Sequence, residues 1–371
     1  MVTRDVSTRV LGVSIPDVSD RSDPVPSGKW SRFFKALAQR FELVDVVQAE
    51  VSKRDFYLNL ARNFRPRKSD WLTQAGLSQS LVNKRNEAIR QARQHYQGSY
   101  DLVVQLQTIC SPGADARYAI YTDNTMALTQ RLYPAWAPVS TRVAKRWIAF
   151  EASVCQSATA VFTLSEFARR SVIDDYGCAP ERVLAVGAGP NHVVAELGEK
   201  PDAVPRALFV GADFTRKGGQ ILLDAWAIVR NEVPDAELII AGPKRNPSSA
   251  DLPGVHWVGR VNHDEVAALY RSASVFVMPS LFEPWGFVFM EAMGNGLPCV
   301  ATSCCAMPEI IDDGVTGRLV APGKAQPLAE ALIELLADPT SAATMGRAAH
   351  AKVVHGDSWA DVVDRIGTHL A

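Results

Sequence analysis

VFVMPSLFEPWGFVFME, residues 275–291, passes from an apolar run into a loop and then into a second periodic segment. Val275 to Met278 have the length and composition of a buried strand, Pro279 and Ser280 end it, and Pro284 with Gly286 make a turn before Phe287 opens a helix. Glu283 therefore falls in the loop and Glu291 on the helix. A helix that starts beyond the carboxyl end of a parallel strand offers unpaired N–H groups to an anionic or polar ligand, which two carboxylates eight residues apart would bracket. The same residues also describe an ordinary strand-to-helix junction with one loop Glu and one solvated helix Glu. On this stretch alone both readings stand.

Outward from it, strands and helices alternate. On the amino-terminal side, Ala207–Gly211 reads as a strand whose loop, ADFTRKGG, feeds an amphipathic helix through Ile221, Leu222, Ala225, Ile228 and Val229. Strands at Ala236–Ala241 and Val255–Val258 and a helix from His263 to Ser272 follow. Beyond Glu291 come a strand at Pro298–Thr302, a hairpin turn at Asp313–Gly317 leading to Leu319 and Val320, and helical segments from Gln326 to Val354 and Ser358 to Leu370. The first half repeats the alternation. Strands are expected at Thr8–Ile15, Leu43–Val47, Tyr100–Leu106, Tyr118–Thr125, Ala160–Leu164 and Arg182–Val186, with Trp30, Phe33, Phe34, Leu37 and Phe41 on one face of a helix between the first two. At 371 residues the chain suits two α/β domains. They are expected at residues 1–198, completed by 357–371, and at 206–356, joined by the charged, Pro-containing stretch Ala195–Pro205.

Glu283-Pro-Trp-Gly-Phe-Val-Phe-Met-Glu291 resembles the Glu-x7-Glu signature of retaining nucleotide-sugar glycosyltransferases of the GT-B fold, family 4. The resemblance runs continuously from about Leu208 to about Pro322 and more weakly over most of the remaining chain. It implies two Rossmann-like domains facing across a cleft, with the terminal helix crossing back to the first. It implies that Glu283 faces the donor sugar, that backbone groups at Pro284, Trp285, Gly286 and Phe287 hold sugar and phosphate oxygens, and that Glu291 accepts from the ribose hydroxyls. Lys217 stands at the family's diphosphate lysine. The companion Arg place is occupied by Ala212, and Arg216 is expected to supply that charge. Two cations at a helix N-terminus oppose its dipole by about 0.3 to 1 kcal/mol each, a sign that a bound diphosphate reverses. Arg260 and Val261 lie where relatives pin the base, and Gly28 where a Gly-Gly loop approaches the diphosphate, although Pro26-Ser27-Gly28-Lys29 equally suits a helix cap at Ser27. Asp123 stands where many relatives carry a sugar-contacting His; it also suits a cap for the helix that follows. Relatives place Gly-Gly where Cys305-Ala306 stand.

The composition fits an ordinary globular enzyme: 47% hydrophobic, 21% charged, with a net charge of -1 that gives no signal for nucleic acid. No apolar run of spanning length and no export-type apolar segment before the first strand is present, so a cytoplasmic protein is expected. Six scattered cysteines without a C-x-x-C pair read as reduced thiols, with the adjacent Cys304 and Cys305 open to redox chemistry. There is no Asp-x-Asp metal motif; no cofactor and no metal is expected, with Lys217, Arg216 and helix N-termini meeting the growing charge of the leaving diphosphate. A UDP- or GDP-sugar transferase leads. A nucleotide-sugar hydrolase or epimerase on the same fold and a non-enzymatic sugar-binding protein remain the alternatives. Between Lys53 and Arg93 ten basic residues face three acidic ones, interleaved with Phe56, Tyr57, Phe64 and Trp71. That asymmetry points to peripheral contact with an anionic membrane, or to an anionic acceptor.

Overall fold

The structure is a computed structural model of the 371-residue chain and describes residues 8–14, 29–191, 197, 204–243 and 252–370. It divides into two compact units, Met1–Gly189 with Asp357–Ala371, and Pro190–Gly356.

The first unit runs β1 (Arg9–Ser14), α1 (Lys29–Arg40), β2 (Glu42–Gln48), α2 (Lys53–Arg62), α3 (Lys68–Gly76), α4 (Gln79–His95), β3 (Leu102–Leu106), β4 (Tyr118–Thr122), α5 (Met126–Leu132), α6 (Thr141–Ser157), β5 (Ala160–Thr163), α7 (Glu166–Asp174) and β6 (Val183–Ala185). Its strands form one parallel sheet in the order β2-β1-β3-β4-β5-β6. The strands are near-continuous apolar runs because helices cover both faces of a parallel sheet. β3, β4 and β5 are buried at every position.

The second unit runs β7 (Arg206–Val210), α8 (Gly219–Glu232), β8 (Glu237–Ala241), β9 (Val255–Gly259), α9 (His263–Ser272), β10 (Val275–Met278), α10 (Phe287–Gly294), β11 (Cys299–Thr302), α11 (Met307–Ile310), β12 (Gly317–Val320), α12 (Ala325–Ala337) and α13 (Pro339–Val354). Its six strands are again parallel, in the order β12-β11-β10-β7-β8-β9. The chain grows outward from β7 to β9, then returns to the other side of β7 with β10. The order therefore reverses between β7 and β10, and the crevice at their carboxyl ends is where open α/β sheets bind ligands. The turn at Asp313–Gly317 exists, but the hairpin does not. β12 pairs in parallel with β11, and the turn follows α11 rather than an antiparallel partner.

The last helix, α14 (Trp359–Leu370), belongs to the first unit and packs on α1. Trp359, Val362, Val363 and Ile366 are buried there, and the Trp359 ring meets Phe33 edge-on at 6.1 Å between centroids. Arg365 Nη2 donates to Val186 O at 2.6 Å, tying the helix to the end of β6.

Candidate active site

The loop after β7 and the loop after β10 meet at the switch point of the second sheet. Leu281 N–H donates to Arg216 O at 2.8 Å, and the Arg216 guanidinium donates through Nη1 to Phe282 O at 2.7 Å and to Glu283 Oε2 at 3.2 Å. Lys217 Nζ donates to the same Glu283 oxygen at 3.2 Å. Asp213 holds the other side of Arg216, accepting from Nε at 3.1 Å. Arg216 and Glu283 are 9% and 8% exposed, so this is a largely desolvated group of two cations and two carboxylates. The cost expected from two cations ahead of α8 is thus met by Glu283 and Asp213.

Two glycines let the loops approach this closely. At Gly218 φ is +74°, and an added Cβ would lie 1.9 Å from Pro279 O; at Gly211 it would lie 2.2 Å from Lys217 Cδ, so the lysine stem runs directly over that backbone. The left-handed φ of +52° at Cys305 falls where the resemblance puts glycine, the residue that adopts this conformation without a Cβ clash. The Cys304 thiol donates to Ser280 O at 3.4 Å and lies 3.2 Å from Thr302 Oγ1.

α10 begins at Phe287 with Gly286 as its N-cap and no side-chain cap. Pro284 and Gly286 are buried, Trp285 and Phe287 half-buried, and the Trp285 Nε1 is sealed from solvent without a partner. Glu291, one face of the helix further on, accepts from Tyr270 Oη at 3.2 Å. Burial pushes its carboxyl above the usual range, against the opposing pull of Tyr270, His263, Asn191 and Lys217. Tyr270 and Asn191 carry no signal in the sequence: a helical Tyr reads as core, and a loop Asn has no fixed spacing from Glu291. Arg260 is exposed and Val261 half-buried after β9, two strands from β7 at the same carboxyl edge; Arg260 makes no hydrogen bond or ion pair among the described residues. Gly28 lies outside the described residues.

Asp123 belongs to the first unit, just past β4. The cap of α5 is Thr125, whose hydroxyl accepts from Leu128 N, so capping does not account for Asp123. Its carboxylate instead accepts from Gln107 Nε2 at 2.8 Å, while Gln107 Oε1 accepts from Thr122 Oγ1 at 2.9 Å. Gln107 sits at φ +60°, a conformation costly for a residue with a Cβ, and is fixed by backbone bonds to Tyr121 O and from Gln105 Nε2. Behind both loops lies Glu151, 7% exposed. Its carboxyl accepts from Thr108 Oγ1 at 2.7 Å, Trp147 Nε1 at 3.0 Å, Met126 N at 2.8 Å and the Tyr176 hydroxyl, and burial raises its pKa.

Residues 204–338 match the family described as Glycosyl transferases group 1. Alpha-maltose-1-phosphate synthase of Mycobacterium tuberculosis is 34% identical over 201 residues, covering 48% of this chain and 51% of that protein, so the chain spans about half the length of this curated relative. Among solved structures, a sucrose-phosphate synthase from Thermosynechococcus elongatus superposes with a TM-score of 0.72 at 18% identity, covering 97% of this chain and 98% of the other. Anabaena Alr3699/HepE, solved in complex with UDP-glucose, gives 0.66 at 17% identity over 98% of this chain and 99% of its own. Together with the two parallel six-stranded sheets, these matches give the chain the GT-B fold, with residues 204–338 of its second unit matching the group 1 glycosyl transferases.

Proposed function

We propose that the chain is a retaining glycosyltransferase that moves a sugar from a UDP- or GDP-sugar to an acceptor hydroxyl in glycan, glycolipid or polysaccharide synthesis, without a metal in the chemical step. The observation that carries this reading is the convergence of Arg216, Lys217 and Glu283 at the switch point of the second sheet, within the segment that matches the family. As the glycosidic bond breaks, charge grows on the diphosphate oxygens. The two cationic groups, already held side by side by Glu283, oppose that charge without reorganising. Glu291 takes the ribose hydroxyls, a role suited to an acceptor carboxylate steadied by Tyr270. The acceptor hydroxyl attacks on the face from which the nucleotide leaves. The acceptor is read by the first unit, where Asp123 stands at the place of the family's sugar-contacting His.

Exposed Phe56, Tyr57, Leu58, Phe64 and Leu72 on and between α2 and α3, among the basic residues of that segment, support peripheral docking on an anionic membrane from the cytoplasmic side. No helix among the described residues is long and apolar enough to cross a membrane. The deciding experiment is nucleotide release from UDP- and GDP-sugars with and without candidate acceptors. Release that rises with acceptor, with the sugar recovered on it in unchanged anomeric configuration, supports the transferase. Release that is indifferent to acceptor would leave the hydrolase reading standing.

A further inference from the structure

Arg85 occupies the second turn of α4, facing the loop that follows β3. Its neighbour Asn86 accepts from Ser111 N at 2.8 Å, and Ile89, one turn on, packs with Ala49 and Cys110 just past the carboxyl ends of β2 and β3. Arg85 is thus at the ligand-binding edge of the first sheet, beside the loop whose Gln107 holds Asp123. It has no carboxylate partner among the described residues. Its one contact is a bond from Nη1 to Gly76 O at 3.4 Å, and none of its unpaired nitrogens is sealed from solvent.

Burial lowers its pKa; the group that opposes the shift is the buried Cys110 thiol, and no carboxylate does. Arg93, further along the same helix, shows the contrast: it is held by Asp115, Tyr100 and Pro112 O. Its one long bond, to the last residue of α3, uses little of the Arg85 fork, and the next carbonyl of that C-terminus, Leu77 O, is taken by Arg146 at 2.6 Å. That bond also brings a second guanidinium to the same end of α3. A half-buried guanidinium without a carboxylate partner keeps donors free at this edge, and its planar fork matches the oxygens of a phosphate.

We propose that Arg85, supported by Arg146, anchors a phosphate subsite in the first unit that takes the phosphate group of the acceptor. The proposal rests on the transferase reading for its biological sense but not for its test. Phosphate on a free sugar and phosphate in a lipid headgroup present the same oxygens, so both are tried. The full-length protein is saturated with UDP or GDP, to fill the second unit, and titrated in a calorimeter with glucose 1-phosphate. In parallel it is titrated with phosphatidylinositol vesicles, against phosphatidylcholine vesicles at the same salt.

Binding of at least one phosphate probe is expected, weakened about ten- to a hundred-fold in Arg85→Gln, the scale of losing charge-assisted hydrogen bonds. Arg85→Lys, which keeps the charge but not the fork, is expected to fall between the two. Response to the sugar phosphate alone assigns a soluble acceptor; response to the vesicles alone assigns a lipid headgroup. Unchanged nucleotide binding shows that each variant keeps its second unit. Circular dichroism and Arg146→Gln, expected to weaken phosphate less than Arg85→Gln, guard against loss of the first. If neither probe binds the wild type, or if Arg85→Gln and Arg85→Lys bind as wild type does, the subsite is overturned. If no nucleoside diphosphate binds while phosphate binding still depends on Arg85, the transferase reading fails and the subsite stands.

Discussion

Glu283 Oε2 receives both Arg216 and Lys217, and this sharing makes the two cations a unit. Arg216→Ala is expected to lower kcat by about 10² to 10³-fold, the cost of one preorganised charge-stabilising group. The double variant with Lys217→Ala is expected to lose less than the product of the two single losses, because each removal also frees Glu283 to fold onto the other partner. Steady-state kinetics of the four-protein cycle measures this; an Arg216→Ala enzyme as active as wild type would leave Lys217 as the only diphosphate cation. Glu291 carries a different signature. Burial raises its folded pKa above the unfolded value near about 4.3, so the folded form binds the extra proton. Its favourable contribution is therefore complete below that value and lost as pH rises through the folded pKa. Glu291→Gln removes this dependence. The variant's Tm relative to wild type is expected to improve from pH 4 upward while its donor KM rises; a difference that stays flat with pH would contradict the assignment. Glu283 and Glu291 stood out because they share one strand-loop-helix stretch, Lys217 through the family resemblance, and Arg216 because a cation ahead of a helix is out of place. Tyr270 was not, since it reaches Glu291 only through packing of α9 on α10.

The loops past β3 and β4 owe their shape to one carboxyl group. Glu151, from the middle of α6, ties Thr108 to the N-terminus of α5 and thereby fixes the two segments that carry Gln107 and Asp123. Glu151→Ala leaves the Trp147 indole N–H and the Thr108 and Tyr176 hydroxyls without their acceptor, and the Met126 N–H with the Tyr176 hydroxyl alone. At about 1 to 3 kcal/mol for each buried group left unmade, the loss is expected to reach about 3 kcal/mol or more, read from urea unfolding followed through the first unit's tryptophans. A loss under about 1 kcal/mol would mean that water replaces the carboxyl and that it is not a strut. In the sequence, Glu151 is one glutamate on an amphipathic helix, and nothing local marks it as inward-facing. The same limit explains two other outcomes. Asp123 suited a cap for α5 by type, and the geometry gives that place to Thr125. The Asp313–Gly317 turn had hairpin chemistry, but pairing is set by the sheet order, which places β12 parallel to β11.

Both sheets were foreseeable from alternating apolar runs and amphipathic segments, since parallel strands buried on two faces need a helix after almost every one. The return of α14 to the first unit was legible only through the family resemblance, because periodicity tells which face of a helix is apolar and not which surface covers it. Its burial makes a prediction. Removing residues 357–371 uncovers Phe33 and Tyr121 and deletes four buried apolar side chains, worth about 1.5 kcal/mol or more each, a sum comparable with the whole stability of a domain. Limited proteolysis of the truncated chain is expected to degrade the first unit and spare peptides from 206–356; equal protection of both would show that α14 is dispensable. The central claim is that the second unit's switch point is a nucleotide-sugar site built from Lys217, Arg216, Glu283 and Glu291. Its most direct test is calorimetric titration of wild type, Lys217→Ala and Glu291→Gln with UDP, GDP and ADP. One nucleotide is expected to bind wild type, and both variants are expected to bind it at least about ten-fold more weakly. No binding by any of the three, or binding that neither substitution changes, would contradict the account.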